Sequence, residues 1–309
     1  MLRLDPLGDL RRTHFCGEVR PSDVGRELVL CGWVRKRRDH GGVIFVDLRD
    51  RTGIAQVVFK PDSAPAAHER AQLVRSEFVL AVRGRLARRD PEVVNPNLPT
   101  GEVELVAEEL RVLNGASTPP FAIEDDVQID ESVRLEYRIH DLRRPVMQRR
   151  LAARHALAQS LRAACAARGL LEIETPILAR ATPEGARDFL VPSRVHHGSF
   201  YALPQSPQIM KQMLMVAGFD GYFQIARCFR DEDQRADRQL EFTQLDLELS
   251  FVGMDDVLEL LEEITVRAFR DVLSVELERP FPRVTWRDAM LRYGSDKPER
   301  RIALELCEL

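Results

Sequence analysis

The side chains best suited to chemistry are concentrated in residues 229–251, FRDEDQRADRQLEFTQLDLELSF. A first half crowded with charge of both signs leads into an alternating second half. There Phe242, Leu245, Leu247 and Leu249 stand among Thr243, Gln244, Asp246 and Glu248. The guanidinium fork of Arg230 can match two phosphate oxygens at once, and Phe242 offers a face to a base. Asp246 and Glu248, two apart on a strand, project to one side, where they can receive an ammonium group or support a metal shell. An ordinary solvated hairpin would carry the same charges without doing chemistry. A phosphate clamp, an aromatic plate and paired carboxylates on one antiparallel hairpin are, however, the parts needed to bind ATP and an amino acid together.

Other segments supply complementary groups. TPEGARDFLVPS (182–193) sets Glu184, Arg187 and Asp188 around a glycine, a polar turn that must be exposed or organised around a ligand. ALPQSPQIMKQML (202–214) places Gln208 and Lys211 three apart, hence on one helix face. That pair is surface decoration in most helices, but here Lys211 could meet a carboxylate and Gln208 could orient one. Near the N-terminus the run Arg35-Lys36-Arg37-Arg38 is expected in a loop ending at Gly41-Gly42, with Phe45 on the next strand. Arginines beside an aromatic suit single-stranded nucleic acid, with charge met by guanidinium and a base stacked on the ring. A solvated loop beside a core phenylalanine is the alternative.

The elements that must position these groups divide the chain. Residues 28–34, 43–49, 54–59, 78–86 and 102–107 read as strands, with Gly41-Gly42 and Thr52-Gly53 as hairpin turns. Five short strands with a polar stretch after the third suggest an OB-type barrel over residues 1–113, a five-stranded sandwich being the alternative. Residues 114–145 lose periodicity and read as a hinge. Residues 146–309 read as α+β, with an antiparallel sheet flanked by helices. In this region Leu151, His155, Leu157, Leu161 and Cys165 form a helical stripe, and LLEIETPIL is a strand carrying a proline. Ser206-Pro207 starts a helix whose Met210, Met213 and Leu214 form an apolar face, and residues 255–273 form another helix.

Composition narrows the class. The longest apolar runs fall far short of the roughly 18 residues of a membrane span, so no membrane role is expected. Five scattered cysteines without a C-x-x-C pair favour reduced thiols and a cytoplasmic setting over a disulfide frame. Residues 1–115 hold 19 Lys and Arg against 17 Asp and Glu, whereas residues 116–309 hold 26 against 32. The N-terminal part is therefore the better landing place for a phosphate backbone.

Taken together, GWVRKRRDHGGVIFVDLRDR, TPEGARDFLVPSR, ALPQSPQ, FRDEDQRADRQ, FTQLDLELSF and RYGSDKP closely resemble bacterial-type aspartyl-tRNA synthetase over essentially the whole chain. Lysyl- and asparaginyl-tRNA synthetases share the architecture, but TPEGARD, QSPQ and GSDKP point to aspartate. The resemblance implies an OB anticodon-binding domain, a class II catalytic domain and a homodimer, with Pro176 in the first class II motif at the dimer interface. It implies that Arg230 binds the α-phosphate and the substrate carboxylate. Asp231, Glu232 and Gln239 would complete the ATP site, and Phe242 would stack on adenine. Glu184, Ser206, Gln208 and Asp246 would hold the backbone groups of L-aspartate, and Lys211 its side-chain carboxylate. Arg38, Phe45 and Gln56 would read the anticodon.

ATP and Mg²⁺ are the implied cofactors and tRNA(Asp) the implied partner. His40 extends this to tRNA(Asn), because relaxed members commonly carry histidine where strict ones carry leucine, although their glycine near Glu92 is not matched. Leu240 replaces a usual proline, Ile209-Met210 replace Leu-Phe, and KPERR stands for KPDLR. No G-x-G-x-G-x-x-R segment occurs, so the third class II motif is missing. The expectation is the N-terminal portion of a longer enzyme, inactive alone; the rival reading is a non-catalytic tRNA-binding protein.

Overall fold

Residues 3–182, 185–302 and 304–307 are described by the computed structural model, which divides into two units, Met1–Leu151 and Ala152–Leu309. In the first, β1 (Glu27–His40), β2 (Val43–Asp50), β3 (Gly53–Phe59), helix α1 (Pro65–Gln72), β4 (Val79–Arg88) and β5 (Val103–Asn114) follow in sequence. The strands close a barrel in the order β1-β2-β3-β5-β4, β3 and β5 being parallel and the other pairs antiparallel. Period-2 alternation turns Ile44, Val46 and Leu48 inward, where they meet Leu30, Val57, Leu80 and Leu105 in a fully buried core.

The basic run expected in a loop lies instead within β1, which continues to His40 by pairing Arg38 with Phe45 and His40 with Val43. A register shift between Val34 and Lys36 absorbs the extra residue. Gly41 and Gly42, at φ +60° and +84°, supply the two left-handed positions of a two-residue hairpin turn. Cross-strand pairing thus overrides the weak strand propensity of four consecutive cations. A second irregularity falls at Gly84 in β4, where a Cβ would lie 2.1 Å from the Val106 carbonyl oxygen. Only glycine permits that approach.

Residues 114–145, expected as a hinge, are tied into the barrel unit and include α2 (Glu131–Glu136) and α3 (Arg138–Asp141). The buried Arg49 guanidinium donates to the Ile123 carbonyl at 3.1 Å and to both oxygens of Glu77 at 2.8 and 3.1 Å. Arg143 reaches the same carboxylate at 2.6 Å. Arg144 donates to the Glu124 and Asp125 carbonyls and to Asp141. Polarity in this segment therefore marks ion pairing rather than solvation.

Next come α4 (Pro145–Ala167), β6 (Leu171–Glu172), β7 (Leu190–Pro192), β8 (Phe200–Ala202), α5 (Gln208–Val216), β9 (Gly221–Phe229), β10 (Glu241–Leu249), α6 (Met254–Leu273) and α7 (Trp286–Tyr293). The sheet of the second unit has the order β10-β9-β6, antiparallel between β10 and β9 but parallel between β9 and β6; β7 and β8 pair separately. LLEIETPIL contributes only two residues of strand, since Pro176 cannot donate to a ladder.

On α4 the buried positions are Ser160, Ala164 and Cys165, while Leu151 and Leu157 of the expected stripe are exposed. Ala164, Cys165, Leu170, Phe223, Leu260 and Ile264 form the core, against which Leu161, Leu245, Leu247 and Leu249 pack. The α5 face is also not as expected: the helix starts at Gln208 after Pro207, Met213 is 60% exposed, and its one buried side chain is Lys211.

Candidate functional site

The β9–β10 hairpin presents two faces. Leu245, Leu247 and Leu249 turn to the core, so the even-numbered residues Phe242, Gln244, Asp246 and Glu248 share the other face. Phe242 therefore belongs with the polar row and not with the leucines. Its pairing with Cys228 brings it beside Arg230, whose guanidinium lies 5.0 Å from the ring centroid. The Arg230 backbone closes on the Leu240 carbonyl at 2.9 Å, which fixes that approach. The guanidinium makes no hydrogen bond or ion pair among the described residues and is free to take an anion.

Four residues along the strand, roughly 13 Å at 3.3 Å per residue, lies a second cluster. Lys211 Nζ donates to Asp246 Oδ1 at 2.9 Å and sits 3.3 Å from Glu248 Oε2, with Lys211 and Asp246 both buried. Burial alone would depress the Lys211 pKa, but the hydrogen bonds and charges of the two carboxylates outweigh it and hold the ammonium above its ordinary value. The Tyr222 hydroxyl, pushed up by burial and by Asp246, donates to Gln224 Oε1 at 2.8 Å. Asp246 Oδ2 is thereby left buried without a hydrogen-bond partner among the described residues. One ammonium between two carboxylates leaves this end of the hairpin with a net charge of −1 and an unused acceptor.

The loop before α5 is organised by Gln205, a residue that sequence reasoning missed. It is 2% exposed, donates to the Ala186 carbonyl at 2.8 Å and to Asp188 at 2.5 Å, and accepts from the Ala186 amide. A glutamine bracketed by Pro204 and Pro207 in QSPQ was the available signal, because prolines remove backbone donors and leave side chains to satisfy the turn. The Asp231 amide donates to the Arg187 carbonyl at 3.0 Å, joining this loop to the hairpin.

Ser206, Asp188 and Pro176 line a cavity of ≈290 Å³, and Pro176 also borders one of ≈280 Å³ with Gln224 and Arg227. Gln208 is half-buried at the start of α5. Glu232 accepts from Arg238 at 3.2 Å, while Asp231 and Gln239 are exposed. Glu184 lies outside the described residues.

The metal shell raised as one use of Asp246 and Glu248 does not form. No three His, Cys, Asp or Glu residues gather as ligands among the described residues, and the hairpin carboxylates are turned onto Lys211. These residues do not fit a resident Mg²⁺ site, and no step is derived through one.

On the barrel, Arg38, His40, Phe45 and Gln56 come together. Phe45 is half-buried on the outward row of β2, opposite to Ile44 and Val46. The His40 ring meets it edge-on, with centroids 6.3 Å apart. Arg38 pairs with Asp47 at 2.5 Å and reaches Gln56 at 3.4 Å, and Gln56 donates to Glu104 at 2.9 Å. An aromatic face, a cation and an amide are thus fixed on one surface, as base recognition requires.

No helix among the described residues is long and apolar enough to cross a membrane. Comparison with known proteins gives two family matches: residues 28–113 match the OB-fold nucleic acid binding domain and residues 130–308 the tRNA synthetases class II (D, K and N). The chain is 58% identical over its whole length to an aspartate–tRNA(Asp/Asn) ligase of Moorella thermoacetica, spanning 51% of that protein. It is 56% identical over 97% of its length to an aspartate–tRNA ligase of Geobacillus kaustophilus, again 51% of that protein. It therefore spans about half the length of the curated relatives it matches. Among solved structures, asparaginyl-tRNA synthetase from Pyrococcus horikoshii complexed with asparaginyl-adenylate superposes with a TM-score of 0.74 at 26% identity, covering 85% of this chain and 58% of that one.

Proposed function

Since the chain belongs to the tRNA synthetases class II (D, K and N), we propose that it carries the anticodon-reading barrel and the nucleotide-binding hairpin of an aspartate–tRNA ligase. The substrates are L-aspartate, ATP, tRNA(Asp) and tRNA(Asn). In the first step a carboxylate oxygen of aspartate attacks the α-phosphorus and pyrophosphate leaves. In the second, the terminal hydroxyl of the tRNA attacks the acyl carbon and AMP leaves. The protein's part is positioning and charge neutralisation.

The observation that carries this reading is the buried, unpartnered Asp246 Oδ2. A buried acceptor without a donor costs roughly 1–3 kcal/mol, which an arriving substrate ammonium offsets. The net charge of −1 favours a cationic amino group at the same place. Lys211 retains one N–H beyond the two directed at Asp246 and Glu248, and that donor suits the side-chain carboxylate of aspartate. Arg230, about 13 Å along the strand and unpaired among the described residues, meets the α-phosphate, and Phe242 receives the adenine. The Pyrococcus relative, whose bound ligand is an adenylate, supports placing amino acid and nucleotide on this hairpin.

Charging of both tRNAs rests on His40, exposed beside Phe45, and on the substrate pair in the name of the Moorella relative. A homodimer is supported by Ile177 and Leu178, which follow Pro176 and are 43% and 54% exposed. A cytoplasmic setting is supported by five free cysteines. The test is aminoacylation of each transcript by the chain extended to the length of its relatives. His40→Leu is expected to lose the tRNA(Asn) reaction selectively. Failure of the unsubstituted protein to charge tRNA(Asn) contradicts the dual specificity.

A further inference from the structure

The largest of the cavities, ≈440 Å³, lies away from both sites described above, in the barrel unit. Its walls are basic and aromatic. Phe15 is held between the guanidinium groups of Arg12 and Arg51, at 4.8 and 4.9 Å from the ring centroid. Arg143 lies 4.8 Å over the Trp33 ring, which is 37% exposed. Beneath them Arg49 and Arg143 share the single carboxylate of Glu77.

Four arginines stand against two carboxylates, and neither carboxylate is available to Arg12 or Arg51. Glu77 is taken by Arg49 and Arg143. Asp50 is consumed by the Cys16 amide at 2.7 Å and by Thr52 at 2.7 and 2.8 Å. Arg12 donates only to the Cys31 carbonyl, and Arg51 makes no hydrogen bond or ion pair among the described residues. The pocket therefore carries an uncompensated charge of about +2, with two cations pressed on one ring. Crowding shows at Arg143 too, whose pKa is lowered by burial and by the neighbouring Arg49 despite Glu77.

We infer that this pocket is a second RNA-binding site, in which Arg12 and Arg51 take a backbone phosphate and Trp33 takes an adjoining base or sugar. The chemistry required is an anion next to a flat, weakly polar surface, and a polynucleotide presents that combination at every step. Topology favours RNA over a free anion. Phe45, Asp47 and Arg49 are successive outward residues of β2, and Arg49 pairs with Trp33 of β1. The pocket thus continues the row that begins at Phe45, about 13 Å further on. At about 3.4 Å per stacked nucleotide that is roughly four nucleotides from a base held at Phe45, so one strand can occupy both. The inference rests on the tRNA-binding reading proposed above, and the test separates the two.

The experiment measures binding of the 309-residue chain to a tRNA(Asp) transcript and to the same transcript with altered anticodon, across a salt series. Arg12→Ala/Arg51→Ala is compared with wild type and with Phe45→Ala. The double variant is expected to weaken binding of both transcripts by the same factor, about tenfold or more. It should also lower the slope of log K against log[salt] by about 2, one for each phosphate contact. Phe45→Ala should instead reduce the discrimination between anticodons and leave the slope unchanged. Arg51→Glu, at an exposed position, guards against loss of folding in the double variant and should weaken binding further than Arg51→Ala.

Loss of anticodon discrimination in wild type, with the slope still falling in the double variant, would overturn the tRNA reading while upholding the pocket. A double variant with wild-type affinity and slope, or a wild type that binds no RNA at low salt, overturns the pocket. AMP added as competitor should not displace tRNA at millimolar concentration; displacement would reassign the pocket to a free nucleotide and overturn the RNA proposal.

Discussion

Lys211 is asked to do two things, and its surroundings show how they combine. It neutralises Asp246 and Glu248 in a largely buried cluster, and it keeps a donor for substrate. Removing one partner of a buried pair leaves the other charge stranded, typically at a cost of about 3–5 kcal/mol. Lys211→Ala is thus expected to lower the unfolding free energy of the second unit by an amount in that range, read by urea denaturation. A change below about 1 kcal/mol would mean that the cluster is not stabilising.

The pH dependence of the same group follows from its raised pKa. Its contribution is fully present below the ordinary lysine value of 10.5 and is lost as pH rises through the higher folded value. Wild type and Lys211→Ala should therefore converge in stability only on the alkaline side. Residue types made most of this site legible in sequence: Arg230, Phe242, Lys211 and Asp246 are where their chemistry would put them. What could not be read was the company each keeps. Glu248 as a second partner of Lys211, and Gln205 as the brace of the 186–188 loop, depend on contacts across 37 and 17–19 residues of chain, which no local pattern encodes.

At the level of elements, the five barrel strands were legible because inward residues alternate with period 2 and glycine pairs mark the turns. Their ends were not. β1 runs six residues beyond its apolar segment because β2 is there to pair with it. On α5 the helical apolar pattern pointed to a buried methionine face, whereas the ion cluster on β10 draws Lys211 inward and leaves Met213 outside.

The segment 114–145 changes what should fold alone. Arg49, Glu77, Ile123 and Arg143 are mutually engaged, so a fragment ending at residue 115 strands Glu77 with one of its two cations and deprives Arg49 of a carbonyl. A fragment of residues 1–151 is expected to melt at least about 5 °C higher than one of residues 1–115, corresponding to roughly 1 kcal/mol. Equal melting temperatures would make the segment a passive connection. Within the longer fragment, Phe45→Ala should weaken binding of the anticodon stem-loop by about 1–3 kcal/mol without unfolding the barrel. Unfolding would instead assign Phe45 to the core.

For the molecule as a whole, charge and chemistry are divided between the units. The basic, aromatic surfaces at Arg38–Phe45 and Arg12–Trp33 lie in the first, and the acidic balance of residues 116–309 accompanies the hairpin that would handle an amino acid and ATP. The central claim is that Arg230 on this hairpin clamps the α-phosphate during activation of aspartate. It is tested most directly by aspartate-dependent ATP–pyrophosphate exchange in the chain extended to the length of its relatives, with and without Arg230→Ala. Loss of a transition-state charge donor of this kind costs at least about 3 kcal/mol. Exchange should accordingly require aspartate, not asparagine or lysine, and fall by about a hundredfold or more in the variant while tRNA binding is retained. Exchange within about tenfold of wild type in Arg230→Ala, or exchange driven by asparagine or lysine, would contradict it.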